Sequence, residues 1–139
     1  MTGQIIAGFN AAQFTNDNKS FYAYSGVVTC AGGASNFNTL TDMLQFTTNS
    51  EYLKIIVSWA NTQTSGTADN FVAIKFNNVS VYQFRAKEGG ESNHTNPKNL
   101  VLIVPPFTTA LFEADTSADP HEWTFTVTGK VGMPPRVGN

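Results

Sequence analysis

Trp123-Thr124-Phe125-Thr126-Val127-Thr128 alternates without a break, with Trp, Phe and Val at every second position and threonine between them. Successive side chains of a strand point to opposite faces, so this stretch buries one face and leaves hydroxyls on the other. A helix would scatter the same residues around its axis. The period of two recurs upstream. Leu53, Ile55, Val57 and Trp59 form a second stripe with Lys54 and Ser58 facing away, and Val72, Ile74 and Phe76 a third with Lys75 opposite. Ser80-Val81-Tyr82-Gln83-Phe84 forms a fourth. Further strands are predicted over residues 110–114, 42–48 and 21–29, with an N-terminal edge strand over 5–9. Residues 100–104 are a continuous apolar run between turn signals, the pattern of a central strand covered on both sides. A 3.6-residue period never persists for three turns, and one short helical turn near residues 38–44 is the most helix expected.

The punctuation agrees with strands. Asn77-Asn78 suits a two-residue hairpin loop, because Asn tolerates positive φ. Pro105-Pro106 removes two ladder donors and must end its strand or turn it toward another sheet. Gly32-Gly33, Gly89-Gly90 and the polar run 61–70 mark longer loops. These features predict one all-β domain, an antiparallel β-sandwich of jelly-roll-like form with about eight strands and no substantial helix. The domain is expected to span residues 1–132 and to include an N-terminal arm. Residues 133–139, with two prolines and no periodicity, form an extended C-terminal tail.

A chain of 139 residues is one ordinary domain. Its charged fraction is 13%, against about 25% for soluble domains, with Thr, Asn and Ser in place of the missing charge. Such a surface costs little to desolvate and carries little repulsion, which suits assembly. The 8 Lys and Arg are scattered and the net charge is -2, which excludes an electrostatic nucleic-acid binder. No apolar run has the length of a membrane span. The N-terminus lacks the basic and apolar regions of a signal peptide. Cys30 is the single cysteine, so the fold is expected to rest on core packing, as in a protein made in a reducing cytoplasm.

Chemistry-bearing constellations are thin. Neither His94 nor His121 neighbours a promising nucleophile in sequence, and no Gly-x-Ser-x-Gly occurs. Cys30 reads as a buried thiol at a strand end. Glu113, Asp115, Asp119, His121 and Glu122 are oxygen and nitrogen donors close in sequence, but they lack the turn glycine of a cation loop and read as a solvated acidic hairpin loop. Asp42 and Glu113 are the acids nearest mid-strand, too few to argue for glycoside hydrolysis. No catalytic residue, cofactor site or metal site is therefore assigned. Carbohydrate binding is the alternative class, given the wealth of Asn and aromatics. Trp59 and Trp123 fall in phase with core stripes, which leaves Tyr22, Tyr24, Tyr52 and Tyr82 as the outward candidates.

Three segments carry a resemblance. Val104-Pro105-Pro106-Phe107 with the Thr108 to Ala114 strand after it, the stretch His121 to Val131, and the hairpin Ile74 to Val81 resemble small virion proteins of marine tailed phages and related viruses. The resemblance covers about the last half of the chain. It implies a capsid decoration (cement) protein on the virion exterior, assembled as a homotrimer and docked on the major capsid protein, with no catalytic residues to carry over. A carbohydrate- or receptor-binding fibre module is the second implication. In a cement protein the extended ends clamp neighbours by adding main-chain hydrogen bonds at an edge, so Gln4, Ile5, Ile6, Pro134, Pro135, Arg136 and Val137 are the expected partner contacts.

Overall fold

A computed structural model of the chain describes residues 11–14, 20–62, 68–87 and 100–132. Among these residues there is no helix. Ten strands are present: β1 (Ala11–Phe14), β2 (Ser20–Tyr24), β3 (Val28–Thr29), β4 (Thr41–Thr47), β5 (Tyr52–Asn61), β6 (Asp69–Phe76), β7 (Val79–Lys87), β8 (Leu100–Val104), β9 (Thr109–Thr116) and β10 (Glu122–Gly132). They form two antiparallel sheets. The larger has the order β1-β2-β10-β5-β8 with β3 also on β10, and the smaller has the order β4-β9-β6-β7.

The pairings are nested. β6 pairs with β7, β5 with β8, β4 with β9 and β2 with β10, as though one long hairpin had been rolled up. Rolling brings β10 against β5 and β9 against β6, which closes the two sheets. That order is a jelly roll of eight strands, with β1 and the two-residue β3 as additions.

Aromatic contacts join the sheets. Phe21 of β2 lies 4.7 Å from Phe46 of β4, Phe125 of β10 lies 6.2 Å from Phe112 of β9, and Trp59 of β5 lies 5.9 Å from Phe84 of β7. The alternating stripes bury as expected: Leu53, Ile55, Val57, Trp59, Trp123, Phe125 and Val127 are all in the core.

Three expectations change. Residues 36–39 form a turn, and β4 extends directly from Thr41, so no helical turn forms there. The predicted 21–29 strand is two strands, broken where Gly26 takes a φ of 69° and Ser25 turns inward to accept from Phe125 N through its Oγ. β8 is an edge strand of the larger sheet and not a central one. Its outward Val101 and Ile103 are 50% and 38% exposed, and a run of identical polarity hides which side faces water. A predicted edge strand over residues 5–9 lies outside the described residues, and β1 supplies the pairing beside β2.

The turns follow their residue types. Asn77 and Asn78 hold φ of 50° and 68° in the β6–β7 hairpin. Pro105-Pro106 ends β8 and carries the chain from one sheet to the other. At Gly129 a Cβ would lie 2.0 Å from the Lys54 carbonyl oxygen and 2.9 Å from Ile55 Cα. Gly129→Ala must therefore part β10 from β5, with an expected loss of about 1–3 kcal/mol in urea titration. Gly132→Ala, with open space around the new atom, is expected to stay within about 0.5 kcal/mol of the parent.

Candidate functional site

The two outer faces of the sandwich are treated differently by the chain. Phe71 and Ala73 of β6 point away from the core, yet both are buried. The segment between β3 and β4 covers Phe71. Its Phe37 sits edge-on against Phe71 at 5.3 Å, and the Arg85 guanidinium lies over the same ring at 5.2 Å.

Buried Asp115 pins that segment. Its Oδ1 accepts from Gly32 N at 2.8 Å and from Thr116 N at 2.8 Å, and its Oδ2 accepts from Thr41 Oγ1 at 3.0 Å. Thr41 Oγ1 in turn accepts from Ala31 N. Gly33 N and Ala34 N donate to the carbonyls of Ala118 and Thr116. Gly32 is required there, since its φ is 80° and a Cβ would meet the Ala118 carbonyl at 2.7 Å. Asp115 is thus a structural acceptor, and with Glu113 also buried the acids of β9 are not the solvated loop that their spacing suggests.

The remaining sequence candidates disperse. Cys30 is buried and burial pushes its thiol pKa up; the His121 backbone bond opposes that shift and the Asp115 charge adds to it. His121 Nδ1 donates to the Asp119 carbonyl, and its backbone N donates to Cys30 Sγ at 3.4 Å. Among the described residues no three of Glu113, Asp115, Asp119, His121 and Glu122 gather as a cation site. Trp59 and Trp123 are buried, and Tyr82 turns inward against Trp59 at 6.4 Å. Tyr22 and Tyr24 lie side by side at 5.7 Å on the outside of the larger sheet. Gln4, Ile5, Ile6, Pro134, Pro135, Arg136 and Val137 lie outside the described residues.

That larger sheet has no covering segment among the described residues, and its outer face is the candidate interaction surface. The register lays it out in rows. Val101, Ile56, Thr128 and Tyr22 form one row, and Ser58, Thr126 and Tyr24 the next. Ile56 is 40% exposed, so with Val101 and Ile103 it makes a contiguous apolar strip along the open edge. Charges stand only toward the ends of the face, with Lys54 opposite Lys130 at one end and Glu122 at the other. On the outside of the smaller sheet, Gln45, Asn77, Asn78, Thr109 and Leu111 line a shallow neutral groove of about 370 Å³.

Beside that groove Asp42 and Glu113 stand directly opposite each other, with Lys75 Nζ 3.1 Å from Glu113 Oε1. Burial lifts the Glu113 pKa; Lys75 pulls it back and Asp42 adds to the rise. The folded chain holds this proton more tightly than the unfolded chain. Stability contributed by Glu113 therefore falls as pH rises from the ordinary carboxylate pKa through the lifted one. Glu113→Gln removes the titration. Its stability relative to the parent is expected to improve as pH rises from about 4.5 to 7, read from urea midpoints at each pH; parallel curves contradict the assignment.

No family model matches the chain, and no curated protein matches it. Among solved structures it is similar to the VP2 protein in a crystal structure of an infectious bursal disease virus VP2 subviral particle, at 17% identity and a TM-score of 0.41. That likeness covers 92% of this chain and 33% of the other, so the chain spans about a third of that protein's length.

Proposed function

We propose that this chain is a structural protein of a virion, a decoration (cement) protein that sits on the capsid exterior and reinforces joints in the major capsid protein shell. In this reading it is made in the host cytoplasm and acts by contact, without catalysis. The observation that carries the reading is the outer face of the larger sheet, uncovered among the described residues, where Ile56, Val101 and Ile103 are exposed beside threonines and tyrosines. Natural edge strands are usually blunted by lysine, proline or a bulge, and β8 has none of these along Leu100–Val104. A low-charge face at an open edge is suited to burial against a neighbour, and many copies on one shell turn modest contacts into firm retention.

A sugar-binding fibre module is the second reading. It is favoured by the groove of Gln45, Asn77 and Asn78, whose neutral amides suit hydroxyl groups. Glycan-array binding that is lost in Asn78→Ala would support it over the first.

The test is occupancy on shells. Ile56→Lys with Val101→Lys changes two exposed side chains, so the fold is expected to survive and occupancy to drop by about tenfold or more, the effect of roughly 1.4 kcal/mol or more in contact energy. Deleting residues 133–139 is expected to lower retention further. Unchanged occupancy in both variants contradicts the reading.

A further inference from the structure

Phe107 is the most exposed large apolar side chain of the described residues, at 72%, and its backbone is held at a φ of 52°. A bulky residue rarely takes the left-handed region, so the turn spends stability to hold a phenyl ring in water. Its neighbours fix it there. Pro105 and Pro106 restrict the turn before it, Phe107 N donates to the Asn49 carbonyl at 2.8 Å, and Thr108 N donates to Thr48 Oγ1 at 2.9 Å. Phe107 is an apolar knob on a fixed backbone.

A matching hollow lies at the opposite end of the molecule. Val27, Ala60, Asn61, Thr62, Glu122 and Thr124 line a recess of about 180 Å³ at the end of the larger sheet's outer face. The recess is open to solvent, and most of its lining surface is apolar. Phe107 follows Val104, which pairs with Leu53 at the start of β5, whereas the recess gathers around Ala60 and Asn61 at the strand's end. About 25 Å of extended strand separates the two. A chain therefore cannot fill its own recess with its own Phe107.

Charge follows the same polarity. Lys54 and Lys130 face each other across β5 and β10 near the knob end, and neither makes an ion pair among the described residues. Like charges directly opposite are unfavourable unless something neutralises them. Glu122 stands in the wall of the recess, also without an ion pair among the described residues.

We infer that copies of this chain associate head to tail, Phe107 of one seating in the Val27–Ala60–Thr124 recess of the next, with Lys54 and Lys130 drawn toward Glu122. Contact of like ends would bring lysine pairs together and leave both knobs in water. A head-to-tail contact is heterologous, so it closes a ring when the rotation per step allows. The inference concerns contact between copies and does not depend on where in a particle the protein sits.

The experiment uses the full chain and two variants, with mass in solution as the readout. Phe107→Gly removes the knob and relieves the left-handed backbone, so at dilution it is expected to resist urea at least as well as the parent. Ala60→Trp fills the recess at an exposed position. The parent is expected to assemble, and each variant alone to weaken association by about 30-fold or more, as loss of a central anchor does. Mixed in equal amounts, the two variants restore one contact, between the remaining Phe107 and the remaining open recess. The mixture is therefore expected to give a 1:1 dimer that grows no further. A monomeric parent, a Phe107→Gly variant that assembles like the parent, or a mixture that stays monomeric overturns the inference. None of these results touches the occupancy test of the virion reading, which probes Ile56 and Val101.

Discussion

Everything in this molecule depends on the aromatic seam between the two sheets. Phe125 against Phe112, Phe21 against Phe46 and Trp59 against Phe84 join β10, β2 and β5 to β9, β4 and β7. Each such side chain contributes roughly 1.5–3 kcal/mol by leaving water, and the chain has no disulfide to share the load. The seam also dictates register. A one-residue slip in β10 would send Trp123, Phe125 and Val127 outward and bring three threonines into the core. The nested pairing has a kinetic consequence too, since β2 and β10 lie about a hundred residues apart and must meet before either is fully covered.

Once the seam is made, the outer faces have different fates. The chain covers part of the smaller sheet itself, drawing the segment before β4 over Phe71 and fastening it with Asp115, Thr41 and Gly32, while Val79 and Val81 of its edge strand β7 stay exposed. The larger sheet receives no such cover among the described residues. Its strip of Ile56, Val101 and Ile103, its tyrosine pair and its end charges remain available. That asymmetry, and not any cluster of reactive groups, is what gives the molecule a side with which to meet neighbours. The left-handed Phe107 sharpens the point, because backbone strain without a covering contact is otherwise a loss.

Much of the fold was legible in residue order. Strict alternation over 123–128 and 53–59 determines two central strands and their buried faces, the Asn pair announces the hairpin, and the double proline marks the crossing between sheets. What alternation does not carry is partnership. The jelly-roll order arises from pairings over tens of residues, which no local window contains. The strand at 100–104 misleads for a definite reason: outward Val101 and Ile103 are as apolar as inward Leu100 and Leu102, so its place at the edge is unreadable. Asp115 reads as a wet acid because nothing local shows that Gly32 folds back onto it, and Glu113 because its partner Lys75 comes from another strand. The interaction surface was legible only as a shortage of charge, since Val27, Ala60 and Glu122 come together from the loop before β3 and from two strands. The terminal residues expected to act as clamps lie outside the described residues.

The central claim is that the outer face of the β2-β10-β5-β8 layer is buried by neighbours in the working assembly. Hydroxyl-radical footprinting of the free protein against the protein on intact particles tests it most directly. The account predicts strong protection of Tyr24, Ile56, Val101 and Ile103 on particles, with little change at Val79 and Val81 of β7. Equal labelling of that face in both states, or protection confined to β7, would contradict it.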